Sequence, residues 1–241
     1  MLPTRVIAFD IWGDYACFRR GYTTTSPITY PVPPRTVLAG ILSAILGKER
    51  DSYYDLFNNS EVLFGLQLLS PIRKIRIMQN LIDTKQGLNL QEARGQRTQI
   101  PFEYVKRPHY RIFCWISNME DYDKLRELVS RHKSVYTPYL GISECLANFG
   151  FFGEFLEVRE KKAESDCVDI STVILGENFQ IKIEPGKRYG KVRIPHTMNS
   201  KRVVTKFADI IYEENGNTIK ITNGNYYELI NNNARINVVL F

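Results

Sequence analysis

The chain has 241 residues, 44% of them hydrophobic and 24% charged, with a formal net charge of +6. That length buries one substantial core, or one domain with a smaller layer added to it. No apolar run approaches the roughly 18 residues that cross a bilayer as a helix, and Met1-Leu-Pro-Thr lacks a secretory signal pattern, so a soluble, cytoplasmic protein with an anionic partner is the expectation.

Arg5 to Trp12 predicts a strand, because Ile7, Phe9 and Ile11 alternate with Val6, Ala8 and Asp10. From Phe18 to Gly47 follows FRRGYTTTSPITYPVPPRTVLAGILSAILG. Arg19 and Arg20 open a hydroxyl-rich loop, and Pro31, Pro33 and Pro34 stiffen its exit beside Tyr30. Arg35 and Thr36 stand where a helix begins, with its first amides unpaired and its positive dipole end exposed, a good place for phosphate. A solvated loop covering a sheet edge is the alternative. In the helix, Val37, Leu38, Ile41, Leu42, Ile45 and Leu46 share one face, Ala39, Gly40, Ser43 and Ala44 permit close approach, and Gly47 ends it.

Glu61–Leu69 and Ile72–Met78 read as extended segments, followed by a polar insertion from Gln79 to Lys106. Gly87 and Gly95 are its flexible points, and Arg94, Arg97, Lys106, Arg107 and Arg111 are spread along it and just after it. An insertion of about 28 residues is long for a mere connection and is either functional or a charged surface loop. His109–Ser117 is a strand, Asp121–His132 a helix with Tyr122, Leu125, Leu128 and Val129 inside, and Phe151–Arg159 a returning strand. Glu160, Lys161 and Lys162 read as a surface linker. The remainder is β-rich, with strands at Phe179–Ile183, Lys191–Ile194 and Val203–Tyr212 and a hairpin turn at Glu213–Asn217. Lys187, Arg188, Lys191 and Arg193 form a basic hairpin face, and His196 falls in a basic loop.

The order strand–helix–strand–strand–helix–strand is that of an α+β, ferredoxin-like fold, which also underlies the RNA-recognition fold. The expected organisation is a ferredoxin-like domain over residues 1–160, with an insertion at about 79–107, and a β-rich extension over 161–241. No sequence of the K-G-F-G-F-V kind lies on the third strand, so stacking of bases in the usual RNA-recognition manner is not supported. Cys17, Cys114, Cys145 and Cys167 are far apart without a C-x-x-C pair, which argues against zinc and for buried reduced thiols.

Metal-free RNA cleavage needs a base, an acid and a cation at the phosphorane, and Tyr104, Lys106 and His109 nominally supply all three. That spacing arises easily by chance, and structural roles for His109, His132 and His196 are the better reading. There is no Walker loop, H-E-x-x-H or G-x-S-x-G, and no paired carboxylates of a two-metal site.

Two segments carry a resemblance. An N-terminal strand, then Phe18-Arg19, then Thr29-Tyr30-Pro31-Val32-Pro33-Pro34, then Val37-Leu-Ala-Gly-Ile-Leu-Ser-Ala-Ile-Leu-Gly47, is similar to the N-terminus of the CRISPR-associated RAMP proteins numbered five among the Cas proteins. Tyr139-Leu-Gly-Ile-Ser-Glu-Cys145 resembles the Y-L-G-x-S-E-C segment of that family. Together they cover about a sixth of the chain, and the I-B type branch resembles it most. The resemblance implies a RAMP-type, RRM-like fold whose insertion is a long thumb hairpin over the guide RNA. It implies a non-catalytic Cascade subunit that binds the crRNA 5′ handle, beside the repeated backbone subunit and the large subunit, and meets target DNA only within the complex. One branch of the family processes guide precursors, which keeps the endoribonuclease alternative open; a basic protein-binding scaffold is the other. Arg19, Arg20, Tyr30, Arg35, Arg94, Arg97, Lys106, Arg107, Arg111 and Gly141 are the expected RNA-binding residues, with no metal, cofactor or membrane. Tyr22, Tyr30 and Tyr104 are candidates to stack on a base.

Overall fold

The computed structural model describes residues 3–23, 25–57, 61–82, 97–231 and 234–241. Its centre is a four-stranded antiparallel sheet made of β1 (Val6–Trp12), β3 (Val62–Leu68), β6 (His109–Ile116) and β7 (Asn148–Phe155), in the order β3-β6-β1-β7. The first strand is therefore interior, paired with β6 on one side and β7 on the other. Alternation sends Ile7, Phe9 and Ile11 of β1 and Tyr110, Ile112, Cys114 and Ile116 of β6 to one face. Two helices close over them: α1 (Arg35–Leu46), through Leu38, Ile41, Leu42 and Ile45, and α3 (Met119–Ser130), through Tyr122, Leu125 and Val129.

The helix boundaries follow local chemistry. Pro34 precedes α1 in an extended conformation, and Gly47, at φ 78°, ends it with its amide on the Ser43 carbonyl. Asn118 caps α3 by accepting from the amides of Glu120 and Asp121 at 2.9 and 3.1 Å, which stabilises a helix end by about 1 kcal/mol. This cap starts α3 two residues before the expected boundary. His132 lies beyond the helix end, at φ 53°, and stacks on Phe149 at 5.0 Å.

The opposite face of the sheet is half covered. Val6, Ala8, Phe113, Trp115 and Phe155 pack under Leu229, Val238 and Leu240. Those residues come from or follow a second sheet built around β13 (Ile219–Asn231), which pairs with β8 (Glu157–Ile170), β10 (Gln180–Lys182) and β14 (Ala234–Val238). Phe241 exchanges two backbone hydrogen bonds with Phe64, each 2.9 Å, so the chain itself blunts the β3 edge. A third sheet, β11 (Tyr189–Met198), β12 (Val204–Glu213) and β9 (Ile174–Leu175), leans Ile194 and Ile210 into the helix-side core. Near α2 (Tyr53–Leu56) an Arg202–Asp51 ion pair at 2.8 Å pins the turn between β11 and β12.

The last sheet is β2 (Tyr15–Ala16), β5 (Arg97–Lys106) and β4 (Lys74–Ile82), in the order β2-β5-β4. Much of the expected polar insertion is thus paired strand, from Lys74↔Val105 out to Ile82↔Arg97. Its Arg94, Gly87 and Gly95 lie outside the described residues. Three other expectations are corrected. Glu160, Lys161 and Lys162 are no linker but lie within β8, where Lys161 meets the carboxylate of Glu228 at 2.8 Å. His196 is a buried residue of β11, and Cys167 is exposed while the other three thiols are buried. Among the described residues no helix is long and apolar enough to cross a membrane.

Candidate nucleic-acid interface

The loop between β2 and α1 folds back on itself. Arg20 donates its amide to Ile28 and Tyr30 to Phe18, both at 2.9 Å, with a bridge between Arg19 and Thr29. The buried Thr29 hydroxyl accepts from the Phe18 amide at 2.9 Å and donates to the Tyr30 carbonyl at 2.8 Å. This narrow loop is strapped to the root of the β4–β5 hairpin. The Glu103 amide donates to Pro27 at 2.9 Å, the Thr29 amide donates to the Glu103 carboxylate at 3.3 Å, and the Lys74 ammonium bridges that carboxylate and the Thr29 carbonyl.

The strap sets a basic tip beside the hairpin. Arg19 is exposed and donates to the Thr23 carbonyl at 3.0 Å. Arg20 donates to the Tyr22 hydroxyl at 2.8 Å while its guanidinium covers the Tyr30 ring at 5.1 Å. Tyr22 is 72% exposed, whereas Tyr30 is 5% and Tyr104 6%, so only the first of the three stacking candidates presents its ring to solvent. Tyr30 is corrected on this ground: burial raises its phenol above the usual tyrosine range, and its ring is a support for Arg20. Lys106 is exposed opposite Tyr15 of β2, and Arg107, exposed at φ 48°, donates its amide to the Asp14 carbonyl at 2.7 Å. Arg97 is exposed opposite Ile82, at the outer end of the described hairpin.

Two expected phosphate ligands are turned to other work. Arg35 is 3% exposed and donates to the carbonyls of Phe57 and Val62 at 3.0 and 2.7 Å. It ties α1 to β3 from inside, and burial lowers its guanidinium to about 10, still charged at neutral pH. Arg111 grips both oxygens of Asp10 at 2.7 and 3.0 Å under the ring of Phe152. Gly141 has a backbone reason to be glycine. At φ 98° it passes so close to Cys17 that a Cβ would overlap the Cys17 carbonyl, where Leu140 accepts the Cys17 amide at 3.0 Å. Burial pushes the Cys17 and Cys145 thiols up to about 11 and 12, which keeps them protonated and inert.

Two of the nominal nuclease residues, Tyr104 and His109, stand apart. Tyr104 belongs to the helix-side core, edge-on to Tyr15 at 5.8 Å, with its hydroxyl accepting from Gln79 at 3.2 Å. Burial raises its phenol, so it is a poor base. His109 stands on the other face of the central sheet, 5.6 Å from the Trp12 ring and 3.9 Å from an Asp10 carboxylate oxygen. Asp10, Trp12 and Phe152, which surround this histidine and Arg111, escaped the sequence reading. The only signal for them was an unusual Asp and Trp at the end of an otherwise apolar strand. Among the described residues no group of three or more His, Cys, Asp or Glu could hold a metal ion.

The family model described as CRISPR-associated protein (Cas_Cas5) matches residues 6–208, from β1 into β12. The chain belongs to the Cas5 family. A Thermus thermophilus protein named CRISPR pre-crRNA endoribonuclease Cas5d is 28% identical over 151 residues, 58% of this chain and 61% of that protein. The Cas5-family chain thus spans about three-fifths of the length of the curated relative it matches. A solved CRISPR protein from Archaeoglobus fulgidus has a TM-score of 0.58 at 14% identity, over 97% of this chain and 99% of that one. A chain from a CRISPR RNA-guided surveillance complex has a TM-score of 0.52 at 14% identity, over 88% and 91%. These two likenesses speak for the fold, a mixed one with few helices and mostly antiparallel sheets.

Proposed function

We propose that this Cas5-family chain is a non-catalytic subunit of a type I Cascade complex, binding and capping the 5′ handle of crRNA between the repeated backbone subunit and the large subunit. In this reading residues 1–160 are a ferredoxin-like RAMP domain, with β4–β5 as its thumb, and 161–241 are a β-rich extension. The order β3-β6-β1-β7, with α1 and α3 on one face, supports the ferredoxin-like part. The I-B branch rests on the two sequence motifs alone. The observation that carries the proposal is the strap of Glu103, Lys74, Pro27 and Thr29, which holds a loop bearing Arg19, Arg20 and exposed Tyr22 against the root of a basic hairpin. Phosphate contacts there set position, and splayed bases and 2′-hydroxyls supply RNA specificity. Arg97, Lys106 and Arg107 extend the same basic surface along the hairpin, and target DNA is met only through the assembled complex.

The test is the Arg19→Ala/Arg20→Ala double variant. Losing two phosphate contacts on a single strand flattens the log–log salt dependence of handle-RNA affinity by about 1.4, and affinity falls at every salt concentration. An unchanged slope and affinity would contradict the assignment. The Thermus relative's name favours a second reading, endoribonucleolytic processing, in which His109 beside Asp10 is the base. That reading requires a second proton-transfer group other than the buried Tyr104.

A further inference from the structure

The lid over the helix-free face of the central sheet ends at Phe113 and Ala8. Alternation and the pairs Asp10↔Arg111 and Trp12↔His109 carry the same face onward beyond that lid. Here a cavity of about 840 Å³ opens, lined by Trp12, Asp14, Ser70, Arg107, His109 and Asn148 among others. The Trp12 indole is partly exposed, stands edge-on to His109 at 67°, and lies against Gly150, where a Cβ would come within 3.5 Å of the ring. Phe152, 40% exposed, covers Arg111 at 3.2 Å and extends the aromatic surface.

The charges of this pocket cancel. Asp10 is held by Arg111, and Asp14 and Arg107 stand at one rim. A charge-balanced cavity is a poor phosphate site, but it suits a neutral, planar, polar ligand. Its hydrogen-bonding groups fit that shape. Asn148 accepts from the Phe149 amide through its side-chain oxygen, leaving its NH₂ to donate, and the Asp14 carboxylate accepts. Arg107 is part of the lining and exposed Lys106 precedes it in the chain, so positive charge is at hand for the backbone that flanks such a ligand.

We propose that this pocket takes one unstacked nucleobase of single-stranded RNA. Trp12 is the stacking platform, Asn148 and Asp14 meet the base edge, and the flanking phosphates pass Lys106 and Arg107. The assignment rests on the RNA-binding reading above, but it adds a base-contact region at the open part of the central sheet, apart from the Arg19–Arg20 loop. It also restores to the sheet face a role that the strand sequences alone do not support.

The chain contains two tryptophans, and the other, Trp115, is 4% exposed beneath the lid. Intrinsic fluorescence of the full chain therefore reports on the pocket, with Trp115 as an internal reference. Titration with the repeat-derived 5′-handle RNA is expected to quench emission saturably, and an abasic RNA of equal length to bind without that quench. Trp12→Phe loses the quench and keeps affinity within a few-fold. Trp12→Ala weakens binding about five- to hundredfold, with an unchanged salt slope because no phosphate contact is lost. Handle RNA that binds without quenching, equal quenching in Trp12→Phe, or full affinity in Trp12→Ala would each overturn the pocket while leaving RNA binding intact. Failure of the wild-type chain to bind handle RNA at any salt concentration would overturn both.

Discussion

Gly141 shows how a single residue fixes the geometry near the candidate interface. Its left-handed backbone lets the Tyr139–Cys145 segment lie directly on Cys17, at the end of β2 from which the basic loop departs. Gly141→Ala adds a Cβ that overlaps a carbonyl and strains a positive φ, so stability should fall by about 3 kcal/mol. Urea unfolding checks this, and a change below about 0.5 kcal/mol would contradict it. His196 makes a pH-dependent contribution. Burial, with the Arg35 charge second, lowers its imidazole from the usual 6.5 to about 4. Below 6.5 the unfolded chain takes up a proton that the folded chain refuses, so stability is full above that pH and drains as pH falls toward 4. The loss is about 3 kcal/mol at most. His196→Gln should remove that acid-side slope from unfolding curves measured between pH 7 and 4; a slope that survives the substitution would assign it to other groups. At this scale the sequence misled most where a charged side chain turned inward. Nothing in the order Pro-Pro-Arg-Thr distinguishes a guanidinium offered to phosphate from one spent on the Phe57 and Val62 carbonyls.

Among the elements, the loop and hairpin act as a pair. Glu103 receives both the Lys74 ammonium and the Thr29 amide, so Glu103→Ala should loosen the loop without unfolding the protein. Amide exchange at Ile28–Tyr30 is expected to rise about tenfold or more, with global stability changed by less than about 1 kcal/mol and handle-RNA affinity reduced. Unchanged exchange there would mean that the strap does not hold the loop. Elements with a strong apolar signal were legible in advance: α1 and α3 each bury one regular stripe, and β1 and β6 are apolar on both faces over most of their length. The ribbon of β4 and β5 was only partly legible, because one side of it carries Lys74, Arg76, Asn80 and Gln99 in solvent. β8 was missed for a related reason: its Glu, Arg and Lys residues are satisfied by cross-strand charges such as Glu228, and its inward residues Val158 and Ala163 enter two different apolar clusters, so no single period-two stripe stands out.

For the whole molecule, the central sheet has one face closed by helices and the other shared between a lid and an open pocket. Neighbouring positions on that second face, Phe113 and Arg111, differ in fate only because the sheet around β13 ends between them. No local pattern encodes where that distant sheet lands, so the pocket was not legible from the strands that build it. The basic loop was legible because prolines, paired arginines and a helix start are local signals. The central claim is that the chain holds guide RNA without cutting it. Its most direct test is purified protein mixed with labelled repeat RNA in EDTA and resolved on native and denaturing gels. The account predicts intact RNA, shifted only when the 5′ handle is present. A discrete cut that persists in EDTA and vanishes in His109→Ala would contradict it.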